Sequence, residues 1–107
     1  MLKTLRASLA LAAIAALSAA PGFSQSSGQA IYKEKCLNCH GPSGLADAGV
    51  GKLMRVKPVT DPEVRKLTEM EMVEIARNGK GKMQPYKNEL SEAQIKAAVE
   101  YLRSFLK

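Results

Sequence analysis

The 107-residue sequence has no Trp, and aromatic residues make up only 5% of it. It holds two Cys and a single His. No segment alternates apolar and polar residues in the manner of a half-buried strand, so a sheet is not expected. No apolar run reaches the roughly 20 residues that a membrane-spanning helix requires. There is no internal repeat, and no basic stripe interleaved with aromatics that would suit nucleic acid. A small domain so poor in aromatics needs something else to fill its interior. A large, flat, apolar prosthetic group would do so, although composition alone does not name one.

What the chain does have begins at its N-terminus. Residues 1–24 show the three parts of a secretory signal: Lys3 and Arg6, an uncharged Ala/Leu-rich stretch from Ala7 to Ala20, then small residues. Gly22 and Ser24 suit a cut that leaves Gln25 as the new N-terminus. Ser18-Ala19-Ala20 is a second candidate, but Pro21 would then follow the cut directly. An uncleaved anchor is the competing reading; the apolar stretch is short for that role, and no stop-transfer pattern follows. The expected division is a signal over 1–24 and one domain over 25–107. The signal carries two of the 16 Lys+Arg and none of the ten acids, so the domain bears a charge of +4.

Within the domain, Ser27 is placed to cap a helix from Gly28 to about Cys39, with Ile31, Tyr32 and Cys36 on one side. Gly28 lies one turn before Tyr32, where a missing side chain would let another helix approach; the bland alternative is a frayed first residue. From Gly41 to Thr60, glycines and prolines interrupt any period, and so long an irregular segment suits wrapping a cofactor. Asp61-Pro62 opens a short helical turn to about Leu67. Thr68-Glu69-Met70-Glu71 and Ser91-Glu92-Ala93-Gln94 are capping boxes, with Leu67/Met72 and Leu90/Ile95 as hydrophobic staples. The first of these helices should stop at Asn78-Gly79, with Gly79 in a left-handed terminus. The second carries Ile95, Ala98, Val99, Leu102 and Phe105/Leu106 on one apolar stripe. The pattern is all-α with three main helices.

Every Cys and the one His fall in the pentapeptide Cys36-Leu37-Asn38-Cys39-His40. C-x-x-C-H is the attachment signature of covalently bound haem. Residues three apart share a helix face, so both thiols can meet the vinyl groups on one porphyrin edge. His40 follows and can direct an imidazole nitrogen at the iron. A thioredoxin-like dithiol belongs to a βαβ context that this chain lacks. Zinc would be one ligand short of four. A disulfide between residues three apart would stabilise little.

The iron then needs a sixth ligand or keeps an open position. With no second His, the candidates after the signal are Met54, Met70, Met72 and Met83. Met70 and Met72 fall in the first turn of a capped helix, where packing is the expected role. Met54 lies in the loop after Gly51. Met83 sits in a Lys/Gly loop just before Gln84-Pro85-Tyr86, with no core to fill, and is the preferred ligand.

From about Gly28 to Lys107 the chain resembles a class I c-type cytochrome. In that family a Gly and an aromatic precede the attachment motif, where Gly28 and Tyr32 stand. An aromatic of the last helix meets them, the place of Tyr101, and the axial Met lies in the loop before that helix, as Met83 does. The sequence departs from the family in one detail: Gln84 separates Met83 from Pro85. The family also uses a proline carbonyl to orient the axial His; Pro42 stands close to His40 in sequence and Pro58 far along the chain, and the role is assigned to neither.

The resemblance implies a cytochrome c fold wrapped around one covalent haem c. Cys36 and Cys39 would form the thioethers, and His40 and Met83 would be the axial iron ligands. It further implies a periplasmic one-electron carrier, exported in a bacterium and serving a respiratory chain, and not an enzyme. Lys80, Lys82 and Lys87 flank Met83 and would either steer the protein, as a monomer, to a redox partner with an acidic docking face or form no more than a solvated loop. No nucleic acid and no stable membrane insertion after signal removal are expected. Two alternatives stay open: a five-coordinate haem that binds small ligands or turns over peroxide, and a haem subunit of a larger redox complex.

Overall fold

The computed structural model describes residues 25–107, and the expected signal over 1–24 lies outside them. Six helices follow in order: α1 Gln25–Lys35, α2 Leu37–His40, α3 Gly49–Leu53, α4 Pro62–Arg65, α5 Glu69–Asn78 and α6 Glu92–Ser104. Among the described residues the only extended pairing is an isolated bridge between Lys80 and Met83. The domain is therefore all-helical, with α1, α5 and α6 as its three main helices. None of the described helices is long and apolar enough to cross a membrane.

The starts of α5 and α6 follow from local chemistry. Thr68 Oγ1 accepts from Glu71 N at 3.1 Å while Glu71 Oε1 accepts from Thr68 N at 3.2 Å. Ser91 and Gln94 make the same reciprocal pair at 3.1 and 2.9 Å. Each box satisfies donors that a helix start leaves without an intrahelical partner. Asp61 caps α4, its carboxylate accepting from Glu63 N at 2.9 Å, with Pro62 at the first helical position.

α6 packs against both α1 and α5. Ile95, Ala98 and Val99 of α6 are buried, and Ile95 and Val99 form with Met72 of α5 a cluster that Leu67, Leu90 and Leu102 pack against. Both staples therefore end in the core. Ala97 is buried too, beside the expected stripe, because it faces α1. A Cβ on Gly28 would lie 2.3 Å from Ala97 O, so Gly28 is a contact between helices and not a frayed end. Tyr32, Tyr101 and Phe105 close the same crossing, with ring centroids 5.1 to 5.9 Å apart in tilted and edge-on pairs.

Several expectations need correction. Ser27 lies inside α1 instead of capping it. The first helix does not run through to Cys39: Cys36 (φ −114, ψ −31) separates α1 from α2. The irregular segment after Gly41 contains α3, too short and too glycine-rich to show a period. Met72 is buried as expected, but Met70 is 81% exposed. Two residues apart on a helix, the two side chains point in nearly opposite directions. Gly79 has a positive φ but an extended ψ (76, 163), a region essentially reserved for glycine, not the left-handed helical one.

Candidate functional site

The break at Cys36 gives the motif its shape. Cys36 N still donates to Tyr32 O at 2.8 Å, completing the last regular turn of α1. Beyond it the ladder restarts: Cys39 N and His40 N both donate to Cys36 O, at 3.2 and 3.0 Å. Gly41 N then donates to Leu37 O at 2.8 Å. Cys36, Cys39 and His40 thus occupy a single helical turn.

That turn is held from several sides. Tyr32 Oη donates to Gly41 O at 2.5 Å, clasping the turn from the residues before it to the residue after it. Gly41 (φ 79, ψ 167) takes the same glycine-only conformation as Gly79 and lets the chain leave sharply after His40. Ala46 N donates to His40 O at 3.0 Å. From the far side, α3 comes so near that a Cβ on Gly51 would lie 2.1 Å from Cys39 O. The second close approach in the fold is therefore made on the motif itself.

Both cysteines are free thiols and half-buried. Burial, with the Cys39 thiol adding to it, pushes Cys36 up to about 11. Burial also lowers the His40 pKa, which favours the neutral imidazole that a metal binds. Among the described residues no group of three or more His, Cys, Asp or Glu forms a metal-holding cluster. Two unpaired thiols and one neutral imidazole on a turn do not make a shell for a bare ion. They do fit an iron porphyrin, which brings four equatorial donors of its own and needs thiols for attachment and axial ligands for the metal.

Met83 is half-buried in the loop between α5 and α6. Lys80 N donates to Met83 O at 3.1 Å and Met83 N donates to Lys80 O at 3.0 Å, so Lys80 to Met83 form a tight turn. A Cβ on Gly79 would lie 2.7 Å from Met83 O. The loop then returns to α5, where Tyr86 N and Lys87 N donate to Ala76 O and Arg77 O at 2.9 and 3.2 Å. Tyr86 Oη crosses to α1 and donates to Lys35 O at 3.0 Å, one residue before Cys36. Lys35 Nζ lies 3.6 Å from Glu89 Oε2. The Met83 loop is thereby fastened to the segment that carries the motif. Met54, the lesser candidate, caps the C-terminal end of α3. Tyr86 and Gly51 were not singled out as parts of the site from sequence; the aromatic three residues after Met83 was the one available signal for the former.

Residues 24–102 match the protein family described as cytochrome C oxidase, cbb3-type, subunit III. Among solved structures, one titled KustC0563 c-type cytochrome is similar with a TM-score of 0.63 and 27% identity. The match covers 73% of this chain and 95% of that one. No curated protein matches.

Proposed function

The chain belongs to the cytochrome C oxidase, cbb3-type, subunit III family, and on that premise we propose that it is an exported one-electron carrier with His40/Met83 ligation. Membership and the structural likeness make it a c-type cytochrome, with covalent haem c and electron transfer as its work. The finer reading assigns one haem: Cys36 and Cys39 would hold it through thioethers, and His40 and Met83 would supply ligands to its iron. The observation that carries this reading is the single turn that holds both free cysteines and the only histidine. The bonded loop that ties Met83 to that turn supports it.

Bound haem supplies the one-electron couple between ferric and ferrous iron. The protein's part is to fix and tune it. Ala46 holds the carbonyl of His40 itself and Tyr32 that of Gly41 just after it, which limits where the imidazole can point. Met83 offers a soft thioether that favours the ferrous state and raises the potential. If His40 and Met83 both served as ligands, the iron would keep no place for a substrate, which would suit a carrier and not an enzyme. Lys80, Lys82 and Lys87 are exposed in and beside the Met83 loop and would steer the protein, as a monomer, toward an acidic face on a redox partner.

A second reading, a subunit of a larger redox complex, is favoured by the family's description and by Leu53, which stands 83% exposed on the helix packed against the motif. Co-purification of a stable partner would favour it over a free carrier.

The decisive experiment expresses the full chain in a host with a periplasmic haem-attachment system. Low-spin, six-coordinate spectra are expected, with a weak far-red ferric band that Met83→Ala abolishes. A high-spin ferric spectrum that shifts on adding carbon monoxide after reduction, or cyanide before it, would overturn the ligation and favour ligand binding or peroxide chemistry. Mass analysis of the periplasmic fraction should find one haem and a chain starting at Gln25.

A further inference from the structure

We infer that Tyr86 is a positioning residue, a latch whose hydroxyl holds the Met83 loop against the end of α1 and so sets how readily Met83 leaves the iron. This rests on the reading of Met83 as an axial ligand.

The argument begins with the carbonyl that Tyr86 engages. In an unbroken helix Lys35 O would accept from Cys39 N, four residues on. The break at Cys36 redirects Cys39 N to Cys36 O, at 3.2 Å. Lys35 O is therefore released from the ladder at the residue beside the first cysteine, and Tyr86 Oη, 51 residues away in sequence, donates to it at 3.0 Å. A half-buried carbonyl gains a partner through this one side chain.

Tyr86 also occupies a mechanically distinct place in its own loop. Gly79 N donates to Ile75 O at 2.7 Å, and Tyr86 N and Lys87 N donate to Ala76 O and Arg77 O. Both ends of the loop are thus bound to the C-terminal carbonyls of α5, which otherwise lack intrahelical partners. Those bonds fasten the loop's base to α5 but leave its position over α1 free. The Tyr86 hydroxyl makes the crossing to α1, assisted by the Lys35–Glu89 pair, which at 3.6 Å with Glu89 exposed is a kind of contact that contributes little. Met83 is three residues from Tyr86, and its backbone is locked in the two-bond turn with Lys80. Movement of Tyr86 away from Lys35 would carry Met83 with it.

An added ligand can reach the ferric iron on the Met83 side only when the loop opens, so its apparent affinity scales with the open fraction. Tyr86→Phe keeps the ring and removes only the hydroxyl. From the usual net worth of one hydrogen bond, imidazole should bind ferric Tyr86→Phe about two- to tenfold more tightly than wild type. Ser91→Ala serves as the comparison, since it removes the α6 cap and weakens the fold without touching the loop's link to α1. It should lower the unfolding midpoint while leaving imidazole affinity unchanged. Equal imidazole affinity for Tyr86→Phe and wild type would overturn the latch, as would an equal rise in Ser91→Ala. Met83→Ala separates this failure from the other: if it leaves the wild-type spectrum unaltered, Met83 is not a ligand and the latch falls with it. If the far-red band is lost in Met83→Ala yet Tyr86→Phe binds imidazole as wild type does, the ligand assignment stands and the latch alone is wrong.

Discussion

The backbone of Gly28 in α1 meets the carbonyl of Ala97 in α6 so closely that a β-carbon on Gly28 would sit 2.3 Å from the oxygen. No real Cβ tolerates that distance, and a backbone oxygen inside a helix cannot rotate away as a flexible side chain would. Gly28→Ala must push the two helices apart, disturbing the ring contacts of Tyr32 with Tyr101 and Phe105 one turn along. Overpacking of this kind costs about 3 kcal/mol at the upper end of its usual range, and the better helix propensity of Ala returns about 1 kcal/mol. A net loss of about 2 kcal/mol is expected in denaturant unfolding of the haem-loaded protein. An unchanged or raised midpoint would mean that the crossing is looser than described.

The two capping boxes offer a cleaner measurement. Thr68→Ala and Ser91→Ala each remove the side-chain acceptor for the backbone N–H of Glu71 or Gln94, while the backbone N–H of residue 68 or 91 can still donate to the Glu71 or Gln94 side chain. Each substitution should cost about 1 kcal/mol. The boxes share no hydrogen-bond partner, so the double variant should lose the sum to within about 0.5 kcal/mol. A double variant no less stable than either single one would show that α5 and α6 start as one coupled unit.

These boxes were also the most legible part of the fold, for a physical reason. A cap is decided by residues three apart, and Thr68-Glu71 and Ser91-Gln94 contain all the chemistry that their hydrogen bonds use. α3 was not legible because its glycines argue against a helix by propensity. Gly51 is there because Cys39 O comes too near for any side chain. The break at Cys36 was invisible for a similar reason: nothing in a short helical pattern announces which residue will leave the ladder.

The candidate site divides along the same line. Cys36, Cys39 and His40 stand out by adjacency, and the chemistry of their side chains suffices to suggest what they would hold. Apart from the family resemblance, Met83 could be singled out only by what its surroundings lack. What ties its loop to the motif, the Tyr86 hydroxyl on Lys35 O, joins residues 51 apart and depends on where α1 ends. Met70 shows the opposite failure. A hydrophobic residue in a capped first turn is expected to pack, yet two residues of helical rotation, about 200°, separate it from Met72 and leave it facing solvent.

The Arg77–Glu92 pair joins the end of α5 to the start of α6 through two bonds, at 2.5 and 2.7 Å. Hydrogen bonding from Arg77, reinforced by its charge, holds the Glu92 carboxyl below its usual value, against a smaller opposing effect of burial. A carboxylate whose pKa is depressed in the folded state contributes stability above its unfolded pKa. That contribution is lost as pH falls through the lower folded value. Glu92→Gln should therefore lower the unfolding midpoint slightly at neutral pH, and the difference from wild type should close in acid. Both groups are exposed, so added salt should shrink the neutral-pH difference as well. A difference that persisted at low pH would trace the effect to something other than ionisation, such as the position of residue 92 at the helix start.

Lys80, Lys82 and Lys87 lie exposed around Met83, and their charge is placed where a redox partner would approach the proposed ligand loop. If they steer encounter, the second-order rate of electron transfer to an acidic partner protein should fall by about tenfold or more from low ionic strength to physiological salt. Steering acts on approach and not on the transfer step, so the first-order rate within a preformed complex should stay constant across the same range. Lys82→Glu should flatten the salt dependence and leave the absorption spectrum of the haem-loaded protein unaltered, since the lysine is exposed and makes no part of the ligand set. A small uncharged reductant should react with the variant and wild type at the same rate. If the rate with the acidic partner ignores ionic strength, the three lysines are a solvated loop, and the partner is recognised through another face, for which Leu53 on α3 is then the place to substitute next.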